Sequence, residues 1–355
     1  MKFFAIRSAL AIGLLIAPLA CKREDGGAAT RSNNPKTLSI YIWSEYLPQG
    51  VIDKFTAKTG IKVTVDTYEN NEVLLSKLQS GVARYDLCVP SDYMVKTLIN
   101  QKLIQAVDPA KVPNLKNIEA RFLNRPFDPG NKYSVPYLWG TTGYGYNTQQ
   151  IKEKLDSWAP MFDPKYSGKI LMLNDAPECF AAALKSMGKS LNEKDSAVLR
   201  QAADKLKAQK KLVKTYNSED YDNILASGDV WLAHAYNGQI AKLARREKGK
   251  FAYVLPKEGA TVSMDGMCIP AKARNATAAM EFMNFVHEPE IAAEIVNGTN
   301  YAGTNEAAKK YINPEILNDP AVYPPPELLK NCEFMEDRGE MTQLIDRLWT
   351  EIKAQ

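Results

Sequence analysis

The chain has 355 residues, with 45 Lys plus Arg set against 41 Asp plus Glu. A formal charge of +4 and two histidines exclude the broad basic stripe of a nucleic-acid binder and leave little material for a histidine-based centre. About 320 residues beyond the N-terminal region is the size of two domains, each able to bury its own core.

Lys2 and Arg7 precede an apolar run over residues 9–20, too short for a stable membrane span, so residues 1–20 read as a signal peptide. The run ends at Ala20-Cys21, and a small, hydrophilic tether over residues 21–36 follows. A small residue, a Cys and a tether resemble a bacterial lipoprotein signal, in which Cys21 is lipidated and becomes the mature N-terminus. Without Lys2 and Arg7 the formal charge is +2. Any attraction for a cation must then be local to a cleft.

Leu38, Ile40 and Ile42 alternate with Ser39, Tyr41 and Trp43, the period of a strand with one apolar face. It breaks at Ser44-Glu45-Tyr46, and Pro48 and Gly50 follow. Residues 48–58 then read as a helix, 61–65 as a strand, 73–78 as a helix and 85–90 as a third strand. This alternation predicts parallel strands whose carboxyl ends face a ligand. Residues 132–147, with glycines at 140, 143 and 145, read as an extended crossing into a second domain. Gly188-Lys189-Ser190 has Ala183 where a phosphate loop needs Gly, and the glycines lack the dinucleotide order.

The second domain repeats the pattern. Strands are expected at 169–173, 230–235 and 251–255, and helices from Cys179 and over 195–212. Residues 262–269 look like a return crossing. Helices at 277–287 and 289–296, a Pro-rich passage at 311–326 and a last helix at 340–352 complete the chain. In that helix Met341, Leu344, Ile345, Leu348 and Trp349 form one apolar stripe, expected to be core.

Four cysteines beyond Cys21 permit disulfides in an exported chain. Cys88 and Cys268, however, sit in apolar runs and are expected as free, buried thiols. The pairing of Cys179 and Cys332 stays open. No C-x-x-C spacing suggests zinc or redox chemistry.

Five strand ends or turns carry acids or aromatics: Trp43-Ser44-Glu45-Tyr46, Ser91-Asp92-Tyr93, Asp175 with Glu178, Tyr236-Asn237 and Met264-Asp265. Facing one another, they would make a cleft for an organic cation, with carboxylates accepting from ammonium groups and rings covering the methylenes. Asp86, Asp92 and Glu258 are expected as solvated surface acids, Tyr41 and Trp139 as packing groups, and His234 as a satisfied core residue.

Ile42-Trp43-Ser44-Glu45-Tyr46, Tyr85-Asp86-Leu87, Val89-Pro90-Ser91, Pro126-Phe127-Asp128-Pro129, Val135-Pro136-Tyr137-Leu138-Trp139-Gly140 and Met264-Asp265 resemble the periplasmic spermidine/putrescine-binding proteins of polyamine ABC transporters. The resemblance runs through the whole mature chain. It implies an α/β, two-lobed periplasmic binding protein of the twice-crossed (type II) kind, each lobe a mixed, mainly parallel sheet flanked by helices. The lobes would be 37–142 with 265–308, and 143–264 with 309–355. It also implies a monomer without cofactor or metal, on the periplasmic or cell-surface side, that hands a polyamine to an ABC permease. Carried over, the ligand-binding set is Trp43, Ser44, Glu45, Tyr46, Ser91, Tyr93, Asp175, Glu178, Tyr236, Ser263, Asp265 and Met335. Tyr236 and Ser263 stand where the family has Trp, and Met335 where it has an amide. The alternatives are a binder of another organic cation and a hydrolase using Asp175 and Glu178. A hydrolase is disfavoured because such acid pairs normally flank the substrate from separate elements.

Overall fold

In β1 (Thr37–Trp43) the alternating Leu38, Ile40 and Ile42 are fully buried, as one apolar face requires. The computed structural model describes residues 36–82 and 84–354, so the signal-peptide reading and Cys21 lie outside the described residues. β1 runs parallel to both neighbours, β2 (Lys62–Tyr68) and β3 (Leu87–Cys88). The helix Gln49–Thr59 links β1 to β2 and buries Val51, Ile52 and Phe55. It stops at Gly60, whose φ of 72° turns the chain while its N–H bonds the Thr56 carbonyl.

Two expectations change here. β2 forms the outer edge of the sheet, so Val63 is only half-buried, Val65 is exposed and Tyr68 alone is buried. The third strand shrinks to Leu87–Cys88, and Pro90, without an N–H for a ladder, keeps it from running on to 90.

β4 (Ile104–Gln105) is followed by β5 (Ser134–Asn147), fourteen residues buried throughout. β6 (Ile170–Met172), β7 (Val213–Tyr216), β8 (Leu232–Tyr236) and β9 (Phe251–Val254) form the second group. There β6 is parallel to β7 and β8, and β5 is antiparallel to β8 and β9. β10 (Thr261–Pro270) returns antiparallel to β5. The strand order is β2-β1-β3-β10-β5-β8-β6-β7, so β10 and β5 stand between the two parallel groups and cross from one to the other.

The glycines of β5 serve close approach rather than flexibility. A Cβ on Gly143 would lie 2.1 Å from the Val254 carbonyl oxygen, and one on Gly140 2.4 Å from Asn237 Oδ1. β9 and the helix Asn237–Arg246 could not pack on β5 with side chains there.

One core gathers β1, β3 and the helices Gln49–Thr59 and Ala276–Val286 through Leu38, Ile40, Phe55, Met267 and Phe282. Ile312, Ile316 and Val322 of the Pro-rich passage also join it. A second core holds Ile170, Phe180, Leu199 and Leu206, closed by Leu344, Ile345, Leu348 and Ile352 of the helix Glu340–Ala354. Met341 and Trp349 only flank it. Cys88, Cys179, Cys268 and Cys332 are free, and Cys88 pairs in register with Cys268. His234 is buried as expected, but neither ring nitrogen has a partner. Burial lowers its pKa to about 3 and keeps it neutral.

Candidate functional site

The carboxyl ends of β1, β3, β6 and β8 open onto one cleft, crossed at its back by β5 and β10. It is lined by Trp43, Ser44, Tyr46, Ser91, Tyr93, Asp175, Glu178, Tyr236, Ser263, Asp265 and Met335, eleven of the twelve ligand positions the sequence suggests. The cavity within it is about 50 Å³. One ordered water needs roughly 10–15 Å³ on this measure, so the space is a slot for a narrow ligand. Across its rim Asn70 Nδ2 donates to the Asn174 carbonyl at 3.4 Å, and Asn174 Nδ2 donates to Glu69 at 3.3 Å.

Asp265 sits in a bulge of β10, where the register against β5 shifts between Met264 and Gly266. A bulge frees a residue from the ladder and re-aims its side chain. Asp265 bridges to Ser91 instead, and Gly266 N–H bonds the Pro90 carbonyl at 2.9 Å. Its Oδ2 accepts from Tyr46 Oη at 2.6 Å and its Oδ1 from Ser91 Oγ at 2.7 Å. Burial pushes its pKa up to about 6, and the two hydroxyls resist that rise.

Asp175 caps the helix Ala176–Ser186, with Oδ1 accepting the Glu178 N–H at 3.0 Å and Pro177 fitting the first turn. Its Oδ2 accepts from Tyr236 Oη at 3.2 Å. Glu178 accepts from Thr142 Oγ1 at 3.0 Å and from Thr261 Oγ1 at 2.8 Å, which ties it to both crossing strands. Burial raises both pKa values, and the charge of Asp175 raises that of Glu178 further. A cation between them would relieve that repulsion.

The walls are aromatic. Trp43 lies 4.6 Å from Tyr68 and 6.2 Å from Tyr236, and its indole N–H has no partner. Tyr301 meets Tyr46 edge-on at 4.9 Å. Tyr93 Oη donates to Glu72 at 3.2 Å. Met335, Tyr93 and Pro177 also line a neighbouring cavity of about 310 Å³ and partition it from the cleft.

Glu45 is the position that does not fit. Its φ of 54° swings the side chain outward, and Oε2 accepts from Lys242 Nζ at 2.8 Å at the surface. Asp86 and Asp92 are not surface acids either. Asp86 accepts from the N–H groups of Ser39, Arg274 and Asn275 and ties β1 to the start of a helix, whereas Asp92 lines the cleft. Tyr41 stacks on Tyr85 and Trp139 lies in the first core, both outside the cleft. Tyr68, Tyr301 and Gln239 line it without being foreseen, since a Tyr or Gln in a buried run carries no distinguishing spacing. Among the described residues no three His, Cys, Asp or Glu side chains group to hold a metal ion.

The family model described as bacterial extracellular solute-binding protein matches residues 50–324, well over half of the chain. The chain belongs to that family. The spermidine/putrescine-binding periplasmic protein of Escherichia coli (strain K12) is 37% identical over 331 residues, covering 93% of this chain and 95% of that protein. The solved Tp0655 (TpPotD) lipoprotein of Treponema pallidum matches with a TM-score of 0.79 at 27% identity, over 89% of this chain and 99% of that one. The PotD substrate-binding protein of a spermidine/putrescine ABC transporter from Streptococcus pneumoniae matches at 0.75 and 31%, over 90% of this chain and 98% of that one. The fold is therefore the two-lobed periplasmic binding protein, with β5 and β10 standing between its two parallel groups.

Proposed function

We propose that this protein is the solute-binding component of an ABC importer and captures a linear polyamine in the cleft. The observation that carries this reading is the slot itself, which buried acids from β10 and from the helix Ala176–Ser186 line together with aromatic side chains. Ammonium groups make charge-assisted hydrogen bonds to such acids, and rings attract the cation while covering its alkyl chain. The spermidine- and putrescine-binding names of relatives at this identity and coverage support it. Putrescine or spermidine would be held by Trp43, Ser44, Tyr46, Ser91, Tyr93, Asp175, Glu178, Tyr236, Ser263, Asp265 and Met335. We divide the lobes at 142/143, 264/265 and 308/309, so that 37–142 with 265–308 make one and 143–264 with 309–355 the other.

The protein works as a monomeric binder rather than a hydrolase, on the periplasmic side, held to a membrane by a lipid on Cys21. Labelled palmitate should enter the wild type and not Cys21→Ala, and unlabelled, soluble wild-type protein would refute the anchor. Protein purified from a bacterium and then denatured should release an unbranched amine detectable by mass spectrometry. Release of a sugar or a peptide instead would overturn the polyamine reading.

A further inference from the structure

Four carboxylates line the cleft, and three are fully provided with donors. Both oxygens of Asp265 accept hydroxyls, both of Glu178 accept threonine hydroxyls, and Asp175 accepts one N–H and one phenol. Asp92 differs. It opens the helix Asp92–Asn100, and its Oδ1 accepts the Tyr93 N–H at 2.8 Å. Its Oδ2 has no hydrogen-bond partner, although the residue is only 2% exposed and lines the cleft.

An acid in a first helical turn is ordinary, and that position accounts for Oδ1. It does not account for Oδ2. A buried acceptor left without a donor is costly, and capping requires one oxygen, not two. The surroundings supply partial relief: the Met264 backbone N–H and the charge of Arg125 pull the carboxyl pKa down, and Asp265 pushes it up, yet Oδ2 stays without a partner at hydrogen-bonding distance.

The four acids also fall into two pairs. The charge of Asp265 raises the Asp92 pKa where the helix Asp92–Asn100 meets β10, and the charge of Asp175 raises that of Glu178 at the helix Ala176–Ser186. Two acidic ends joined by aromatic walls match a chain with one cation at each end.

We infer that Asp92 is a ligand carboxylate of the cleft, whose Oδ2 accepts an N–H from one terminal ammonium of a linear diammonium ligand beside Asp265. This rests on the polyamine reading above. The other ammonium then belongs to Asp175 and Glu178. Burial pushes the Asp92 pKa up to about 8, a rise that a cation beside it opposes.

The test is calorimetric titration with 1,4-diaminobutane on wild type, Asp92→Asn and Asp92→Ser. Asn keeps Oδ1 for the Tyr93 N–H and replaces Oδ2 by a donor, and Ser can also cap a helix. Both should raise Kd at least 30-fold while the melting temperature of the empty protein holds or rises. A Kd within threefold of wild type in a folded variant overturns the role of Asp92. A fall in melting temperature of the empty protein matching the loss of affinity overturns it too, since that marks a structural residue. Wild-type protein that binds no diamine refutes the polyamine reading itself, a separate result.

Discussion

Tyr46 Oη and Asp265 Oδ2 stand 219 positions apart in the chain and meet at 2.6 Å. The bond joins the turn after β1 to the bulge of β10, so the geometry of the acid is fixed from the first lobe and from a crossing strand together. Ser91 completes the support on the other oxygen. A carboxylate held this way is aligned before a ligand arrives, which lowers the ordering cost of binding.

Asp265→Asn preserves shape, and an amide can still pair with both hydroxyls. Amine binding should weaken by roughly 2–5 kcal/mol, as for truncating one partner of a buried charged pair. The empty protein should hold or gain stability, because a desolvated charge is gone. Asp163→Asn, on the exposed surface, should leave calorimetric affinity unchanged. Equal affinities in the two variants would remove Asp265 from the site.

Acidity should move stability and binding in opposite directions. The pKa of Asp265 is about 6 in the folded protein against about 3.9 unfolded, so the folded state holds its proton more tightly. Its contribution to stability is complete below pH 4 and is lost as pH rises through 6, about 3 kcal/mol in all. Amine affinity needs the ionised acid and so grows over the same window, while the amine itself stays protonated. Melting temperatures of the empty protein and titrations from pH 5 to 8 would show it. A common direction for both would contradict the account.

The Glu45–Lys242 pair lies at the surface, with side chains 56% and 41% exposed. Such pairs contribute about 0–1 kcal/mol. Glu45→Gln should therefore change amine affinity less than threefold, in contrast to Asp265→Asn. A loss of tenfold or more on titration would return Glu45 to the site.

Ser263 faces Gly140 across the ladder, and both line the cleft, so neither strand offers a large side chain there. Ser263→Trp fills that space. It should change the ranking of diamines against triamines rather than weaken all equally, and a titration panel with an unchanged ranking would show that the position does not touch ligand.

Much of this site is legible from local pattern. The strand at 38–42 and the turn that follows show in periodicity and turn chemistry, and Asp175, Glu178 and Asp265 show as acids at strand ends or turns, with their ligand roles implied by the family resemblance. What stays hidden depends on tertiary placement. Glu45 has the right chemistry, but a left-handed backbone aims it at Lys242. Asp92 reads as a solvated acid in a turn, whereas it opens a helix that packs against β10 and is buried. Ile312, Ile316 and Val322 lie in a Pro-rich passage without periodicity, so nothing local says which core they join.

The central claim is that the slot selects unbranched amines. Titration with putrescine, cadaverine, spermidine and spermine, set against lysine and arginine, tests it most directly. At least one linear amine should bind with micromolar or tighter Kd, about −8 kcal/mol or better. Lysine and arginine should bind far more weakly, because their carboxylate would face buried acids. No heat with any linear amine, or tighter binding of lysine or arginine, would contradict the account.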